Sequence, residues 1–172
     1  MIQTSKTFFK TLRILHLALI AGASVFLILA IYLVETGGFD GGDPELNNVF
    51  QIVAPLMAGA GVFASRFLFT KRRAHIVSEK TLQAKTIGYQ SALTVRYALI
   101  EGPTLFATIA FMLTSNYLFA YIGFALLIYL FLQRPTLESA LTDLNLSHTD
   151  FDKVRNPDAI IFDNSTDINE TE

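Results

Sequence analysis

The sequence predicts an all-α, polytopic membrane protein with four transmembrane helices in two similar hairpins, followed by short cytoplasmic helices toward the C-terminus. Three observations support this fold class. First, hydrophobic residues make up 52% of the 172 residues and the mean hydropathy is +0.44, which is more apolar than an ordinary soluble domain. Second, the apolar residues are concentrated in four runs. Third, basic residues flank these runs on one side only.

The four apolar runs give spans at about residues 12–34, 48–70, 90–113 and 115–133, within a transmembrane domain of residues 1–134. Each run is near the ~20 residues that a helix needs to cross ~30 Å of hydrocarbon. Basic residues precede the first run, as they do in a signal peptide. However, this run exceeds the ~7–15 apolar residues of a signal peptide, and no small-x-small cleavage site follows it. We therefore expect the first span to be retained.

The charges around the spans predict the orientation. Basic residues precede the first span, lie between the second and third, and follow the fourth. The loop between the first two spans has no basic residue and carries four acidic ones: Glu35, Asp40, Asp43 and Glu45. The positive-inside rule then places both termini on the cytoplasmic side of a bacterial-type inner membrane. The basic segment at residues 71–85 is either a topology signal alone or also a binding site for anionic lipid.

After Arg134 the composition becomes mixed, and residues 135–162 are predicted as a cytoplasmic amphipathic tail. Its first helix has apolar residues at i, i+3, i+4 and i+7 spacing, which gives one apolar face. A second short helix is predicted to begin with a capping pattern at Ser147 and Asp150. Residues 163–172 are polar and acidic, and we expect them to be disordered.

An internal repeat relates the first and third spans. Residues 18–33 and 98–113 are identical at seven of sixteen aligned positions, and their common offset pairs Ala21 with Glu101 and His16 with Arg96. Two hairpins of the same orientation, related by an axis along the membrane normal, would produce this pattern. The charged copy is the third helix.

Four ionisable residues lie within or near the ends of the spans: His16, Arg66, Arg96 and Glu101. The three basic side chains can reach the headgroups by snorkelling, whereas Glu101 is ~7.5 Å deeper than Arg96. An ionised carboxylate at that depth costs at least ~2.5–3.5 kcal/mol. Glu101 should therefore pair with a cation or be protonated, and we expect Arg66 as its first partner and His16 as its second. Tyr97, one turn earlier, can place its hydroxyl in the same polar site.

Glycine and proline after the carboxylate predict a helix kink at Gly102 and Pro103. Proline lacks a backbone donor, so it frees the carbonyl of Leu99 four residues earlier. The second span contains the small-residue stretch AGAGVFAS, which favours close approach of a neighbouring helix. Three of its residues are predicted to serve helix packing: Gly59, Gly61 and Ser65.

Residues 82–113, LQAKTIGYQSALTVRYALIEGPTLFATIAFML, resemble the second helix of c-type proteolipid subunits of rotary ATP synthases. The shared features are a polar, basic loop, an Ala-Leu-x-Glu core and an exit rich in Phe and Leu. In this resemblance, residues 58–65 correspond to the glycine-rich first helix of that family, and Glu101 corresponds to its proton-carrying carboxylate. The resemblance covers spans two and three and implies a helical hairpin that handles a proton or cation.

The sequence favours a non-enzymatic protein. It has no cysteine, no glycine-rich phosphate loop, no pair of His ligands and no catalytic Ser/His/Asp set, so we expect no catalytic residue, metal, cofactor or nucleic-acid partner. Our leading hypothesis is a small membrane subunit, accessory protein or scaffold that self-associates or joins a larger complex, with a polar cluster around Glu101. The alternative is a proteolipid-like protein in which Glu101 carries a proton or cation.

Overall fold

The computed structural model describes residues 2–38 and 42–163, and over these residues the chain is all-helical apart from one pair of short strands. The helices are α1 (Ser5–Glu35), α2 (Pro44–Ser78), α3 (Leu82–Thr114), α4 (Tyr117–Leu132), α5 (Leu137–Leu144) and α6 (His148–Arg155). The strands are β1 (Ile2–Thr4) and β2 (Ile160–Asp163). The predicted all-α class is confirmed. The prediction of disorder falls almost entirely on residues 164–172, which lie outside the described residues.

Three described helices, α1, α2 and α3, are long and apolar enough to cross a membrane. They contain 31, 35 and 33 residues and rise ~47–53 Å, more than the ~30 Å thickness of hydrocarbon. Helix α4 has only 16 residues and counts as a fourth candidate only together with α5, from which it is bent by 75°. The described chain therefore has three to four candidate membrane spans.

Polar side chains cap the helices where the apolar runs end. The Asp43 carboxylate accepts hydrogen bonds from the Glu45 and Leu46 amides at 2.9 and 3.2 Å, in the first turn of α2, which begins at Pro44. Asn116 caps α4 in the same way. At α6, the Ser147 hydroxyl accepts from the Asp150 amide at 3.3 Å, the capping arrangement expected from the sequence.

The described chain divides into two compact units, and the first comprises the residues up to His16, Leu68–Thr94 and the residues from Pro135 onward. In this unit β1 and β2 pair antiparallel, with Gln3 opposite Phe162. The Ser5 hydroxyl, only 2% exposed, donates to the Val154 carbonyl at 2.5 Å. The first turn of α1 also donates backbone bonds to carbonyls of the tail. The C-terminal tail thus supplies acceptors for helix donors that would otherwise lack a partner.

Arg73 joins the end of α2 to α5 within the first unit. Its guanidinium donates to the backbone carbonyls of Asp143 and Thr142 at 3.0 and 2.9 Å, and it lies 3.3 Å from the Asp143 carboxylate. These carbonyls are in the last turn of α5, where unsatisfied acceptors and the negative end of the helix dipole favour a cation. Arg73 therefore anchors the C-terminal turn of this eight-residue helix to α2.

The second unit comprises Leu17–Phe67 and Val95–Arg134. Its core consists of packed alanine, leucine and phenylalanine side chains: Ala23, Leu27, Ala30, Ala54, Ala110, Phe111, Phe119, Ala120 and Leu127. Half of the apolar window of α3 is buried, against 17% in α1 and 11% in α2. Helix α3 is thus the most enclosed of the three long helices.

Polar contacts join the helices at the end of the second unit where α1 ends and where α2 and α4 begin. The Asn116 amide donates to the Asn47 side-chain oxygen at 2.7 Å, and the Tyr117 hydroxyl donates to the Glu35 carboxylate. These contacts link the start of α4 to the start of α2 and to the end of α1. They join three of the helices at this end of the unit.

Candidate functional site

The candidate site is built on the side of α3 that carries Glu101. Glu101 is half-buried, with Tyr97 one turn before it and Thr104 one turn after it, both fully buried. Thr108 continues the same side of the helix. The two threonine hydroxyls donate to the carbonyls four residues earlier, at 2.8 and 3.0 Å. A line of polar side chains therefore runs along α3 from the carboxylate toward the α3–α4 connection.

Arg66 is not the partner of Glu101. Its Nε donates to the Tyr129 hydroxyl at 3.0 Å, and its guanidinium carbon lies 5.8 Å from the centroid of the Tyr129 ring. No basic nitrogen of the described second unit lies within 4.0 Å of the Glu101 carboxylate. This corrects the predicted ion pair. The reason is helix phase: where α2 crosses α3 at Gly61, the contacting residues of α3 are Leu99 and Pro103, each about 200° around the helix from Glu101.

Tyr97 also makes a contact that the sequence did not indicate. It is fully buried, and its hydroxyl donates to the Gln133 carbonyl at 3.2 Å, just beyond the end of α4. The Gln133 carboxamide is buried and makes no hydrogen bond within the described chain. Arg96 is half-buried beside Tyr97. His16 is 2% exposed and belongs to the first unit, so its pairing with Glu101 stays a prediction.

The structure therefore groups the polar residues differently from the sequence prediction. Arg66 pairs with Tyr129 and Tyr97 with Gln133, and both partners come from the end of α4. A signal for them was present, because Tyr is common near the ends of membrane spans and Tyr129 is four residues before Gln133, on one side of a helix. Neither residue was predicted as part of the polar site, because neither carries a charge.

Helices α2 and α3 touch at a glycine. A Cβ atom at Gly61 would lie 2.5 Å from the Leu99 carbonyl oxygen and 2.7 Å from Pro103 Cγ. Pro103 has no amide hydrogen to donate to the Leu99 carbonyl. The Leu99 oxygen therefore faces the neighbouring helix instead of accepting the usual hydrogen bond within α3. Helix α3 nevertheless continues through Gly102 and Pro103 without interruption.

The other small residues of α2 have different positions. Ser65 is fully buried one turn after Gly61, and its hydroxyl donates to the Val62 carbonyl at 2.8 Å. Gly59 is exposed, and a Cβ there would meet no atom within 4 Å. Gly59 therefore makes no close contact with the described residues at its Cβ position, and its role in helix packing stays a prediction. It lies on another side of α2 from Gly61, because two residues span about 200° of a helix.

A groove of about 440 Å³ runs along the surface between α2 and α3, and we call it the small-residue groove. It is lined mainly by residues with short side chains: Ala60, Gly61, Ala64, Ala98, Gly102 and Pro103. Ala60 and Ala64, like Ala98 and Gly102, are four residues apart, the small-xxx-small spacing of helix contacts in membranes. A Cβ at Gly102 would meet no atom within 4 Å. Because its lining side chains are short, the groove is shallow and open.

The described residues contain no group of three or more His, Asp or Glu side chains that could hold a metal ion. No known protein family, curated protein or solved structure matches this chain.

Proposed function

We propose that the protein is a non-enzymatic subunit of a helical membrane assembly, and that a transmembrane helix of its partner lies in the small-residue groove. The partner is either a second copy of the chain or another membrane protein. The open groove between α2 and α3 is the observation that carries this proposal. In lipid, helix association depends on close packing rather than on a hydrophobic effect, so an uncovered surface of small residues is where another helix packs best.

The arrangement we propose has four spans, with α4 as the fourth, in an inner membrane of bacterial type. Both chain ends and the basic segment at residues 71–85 lie on its cytoplasmic side. Positions that are paired by the internal repeat have similar exposure, and this supports two related hairpins. Ala30 and Ala110 are both fully buried, whereas Gly22 and Gly102 both have open space around their Cβ positions.

Glu101 does not line the small-residue groove, but it lies beside two of the lining residues, Ala98 and Gly102, on α3. On a helix it is about 60° from Ala98 and about 100° from Gly102. Its half-buried carboxylate has no ion-pair partner in the described second unit. A basic side chain on the incoming helix would offset the cost of keeping this charge in the membrane. In this proposal Glu101 selects the partner helix by its charge, and the small residues allow that helix to approach closely.

Two glycine substitutions test the proposed partner contact. Gly102→Leu fills the groove, and Gly59→Leu adds the same side chain outside it. Both positions have open space at Cβ, so neither change creates a clash at that atom. We expect Gly102→Leu to abolish chemical crosslinking and co-purification of the partner from native membranes, whereas Gly59→Leu leaves both intact. Equal association of the two variants with the partner would overturn the proposal.

A second candidate function is exchange of a proton or binding of a small cation at Glu101. The observation that favours it is the same absence of an ion pair in the described second unit, together with the line of Thr104 and Thr108 on one side of α3. The resemblance to c-type proteolipids belongs to this candidate. Intramembrane carboxylates that lack a fixed cation can carry protons in such proteins.

Glu101→Gln separates the two candidates. If Glu101 anchors a partner, the variant loses association and ion flux into reconstituted vesicles is unchanged. If Glu101 carries a proton or cation, the variant keeps its association but loses the flux. In that case a hydrophobic carbodiimide should label the wild-type protein at Glu101 and leave Glu101→Gln unlabelled, because labelling requires a protonated carboxyl that is accessible from lipid.

A further inference from the structure

A second groove lies in the first unit, between the last turns of α2 and the first half of α3. Its volume is about 620 Å³. Leu68, Ile76 and Gly88 form an apolar floor, and Ile76 is only 5% exposed. Lys71, Arg72 and His75 line one side and Ser91 the other. We call this the basic groove.

The two helices are in close contact at the floor of the basic groove. A Cβ at Gly88 would lie 2.9 Å from Ile76 Cγ1, so the side chain of Ile76 rests directly on the glycine. One helical turn away, the Arg72 guanidinium reaches across to Ser91, where its Nη1 lies 3.4 Å from the hydroxyl oxygen. Arginine has five N–H donors, so this single bond leaves several for a ligand. The guanidinium therefore lines the groove and is held by a residue of the facing helix.

The charge of the basic groove is positive. Lys71 and Arg72 contribute two full charges. The carboxylate of Glu79, the residue after the end of α2, lies 3.6 Å from His75 Nε2. No acidic side chain lines the groove itself. Arg and Lys together favour phosphate, because the guanidinium binds its oxygens in pairs and the ammonium adds a point charge.

The position along α2 indicates what kind of phosphate compound fits. The apolar run of α2 ends at Phe69 and Thr70, and the basic residues begin at Lys71. The basic groove begins with Leu68, before this boundary, and continues to Ile76, beyond it. A ligand that fills it must therefore combine a charged head with an apolar chain. A free phosphate would use the cations but would leave the apolar floor uncovered.

We propose that the basic groove binds an anionic phospholipid, with the lipid phosphate at Lys71 and Arg72 and part of an acyl chain on Leu68 and Ile76. This inference goes beyond the proposed helix partner, since it concerns a different unit of the chain. Clusters of basic residues at the cytoplasmic end of a membrane span attract anionic lipid. Here the cluster borders a cavity of the size typical of small-ligand sites.

The test compares phosphatidylglycerol with phosphatidylcholine as ligands of the purified full-length chain in detergent, by native mass spectrometry. We expect the wild type to prefer phosphatidylglycerol, and Lys71→Gln/Arg72→Gln to weaken its binding roughly 30-fold. The matched control, Lys10→Gln/Lys153→Gln, makes the same charge change at two exposed residues of the first unit outside the groove. We expect it to bind like the wild type.

Two further measurements distinguish a lipid site in the groove from a general attraction between charges. Ser91→Leu fills the groove without changing any charge, so a true site predicts weaker binding in this variant too. Competition with inorganic phosphate separates a lipid site from a free-anion site. The proposal is overturned if the control loses as much affinity as the double variant, if Ser91→Leu binds normally, or if millimolar phosphate displaces the lipid. Circular dichroism of each variant establishes that it is folded before binding is compared.

Discussion

Replacing Gly61 by Ala tests the contact between α2 and α3 directly. The added Cβ would lie 2.5 Å from the Leu99 carbonyl oxygen, whereas ordinary contacts of this kind begin at 3.4 Å. The helices must therefore separate by about 0.9 Å at their crossing point. The obstacle is backbone oxygen and the ring of Pro103, and neither can rotate away as a flexible side chain would. Overpacking of this kind costs about 1–3 kcal/mol.

Gly59→Ala is the matched control for this prediction. It lies two residues away in the same helix, and its Cβ meets no atom within 4 Å. Both substitutions gain the helix propensity of alanine over glycine, about 1 kcal/mol. The gain cancels in the comparison, so the difference between the two variants isolates the packing term. We expect Gly61→Ala to be less stable than Gly59→Ala by about 1–3 kcal/mol.

Unfolding in mixed micelles with increasing SDS provides the measurement. The chain has no Trp but has 6 Tyr and 15 Phe residues, so near-ultraviolet circular dichroism reports the loss of tertiary packing. The free energy of unfolding of each variant follows from its transition. If Gly61→Ala proves as stable as Gly59→Ala, the close approach of α2 to the Leu99 carbonyl does not hold the second unit together.

Three other substitutions have defined outcomes. Arg73→Gln removes the donors at the end of α5 and should cost about 1 kcal/mol, given the exposure of its side chain, with faster amide exchange in α5 as the readout. Ser5→Ala leaves the Val154 carbonyl without its buried donor, so amide exchange in α6 and β2 should quicken while that of α4 stays constant. Tyr129→Phe removes the hydrogen bond from Arg66 but keeps the ring, whereas Tyr129→Leu removes both. Tyr129→Phe should therefore lower thermal stability less than Tyr129→Leu. An equal loss of thermal stability in the two variants would exclude a contribution from the ring.

The helices were predictable because their signal is local. An apolar run indicates where hydrocarbon surrounds the chain, and the capping pattern at Ser147 and Asp150 identifies the start of α6. The ends of the long helices were harder to predict. Helix α1 begins at Ser5 and α3 at Leu82, earlier than the apolar runs suggest. Hydropathy reports the boundary of the lipid, and a helix can continue past it into water.

The β1–β2 pair could not be predicted. Strands of three and four residues are too short for an alternating pattern, and the pairing joins opposite ends of the described chain. The polar contacts of the second unit could not be predicted for a different reason. Depth along a helix can be counted from sequence, and it placed Glu101 and Arg66 within reach. Rotation of each helix about its own axis depends on which faces pack, and Gly61 fixes that rotation so that Glu101 points away from α2.

The pairing of β1 with β2 also determines when the first unit can form during synthesis. The amides of Ser5 and Lys6 donate to the carbonyls of Ala159 and Pro157, which leave the ribosome about 150 residues later. At ~5–20 residues per second, this delay is roughly 8–30 s. Throughout it, water must hydrate the first turn of α1 while the apolar helices that follow are already entering the bilayer. The first turn of α1 is therefore made early, but its hydrogen bonds to the tail can form only after residues 157–159 have been synthesised.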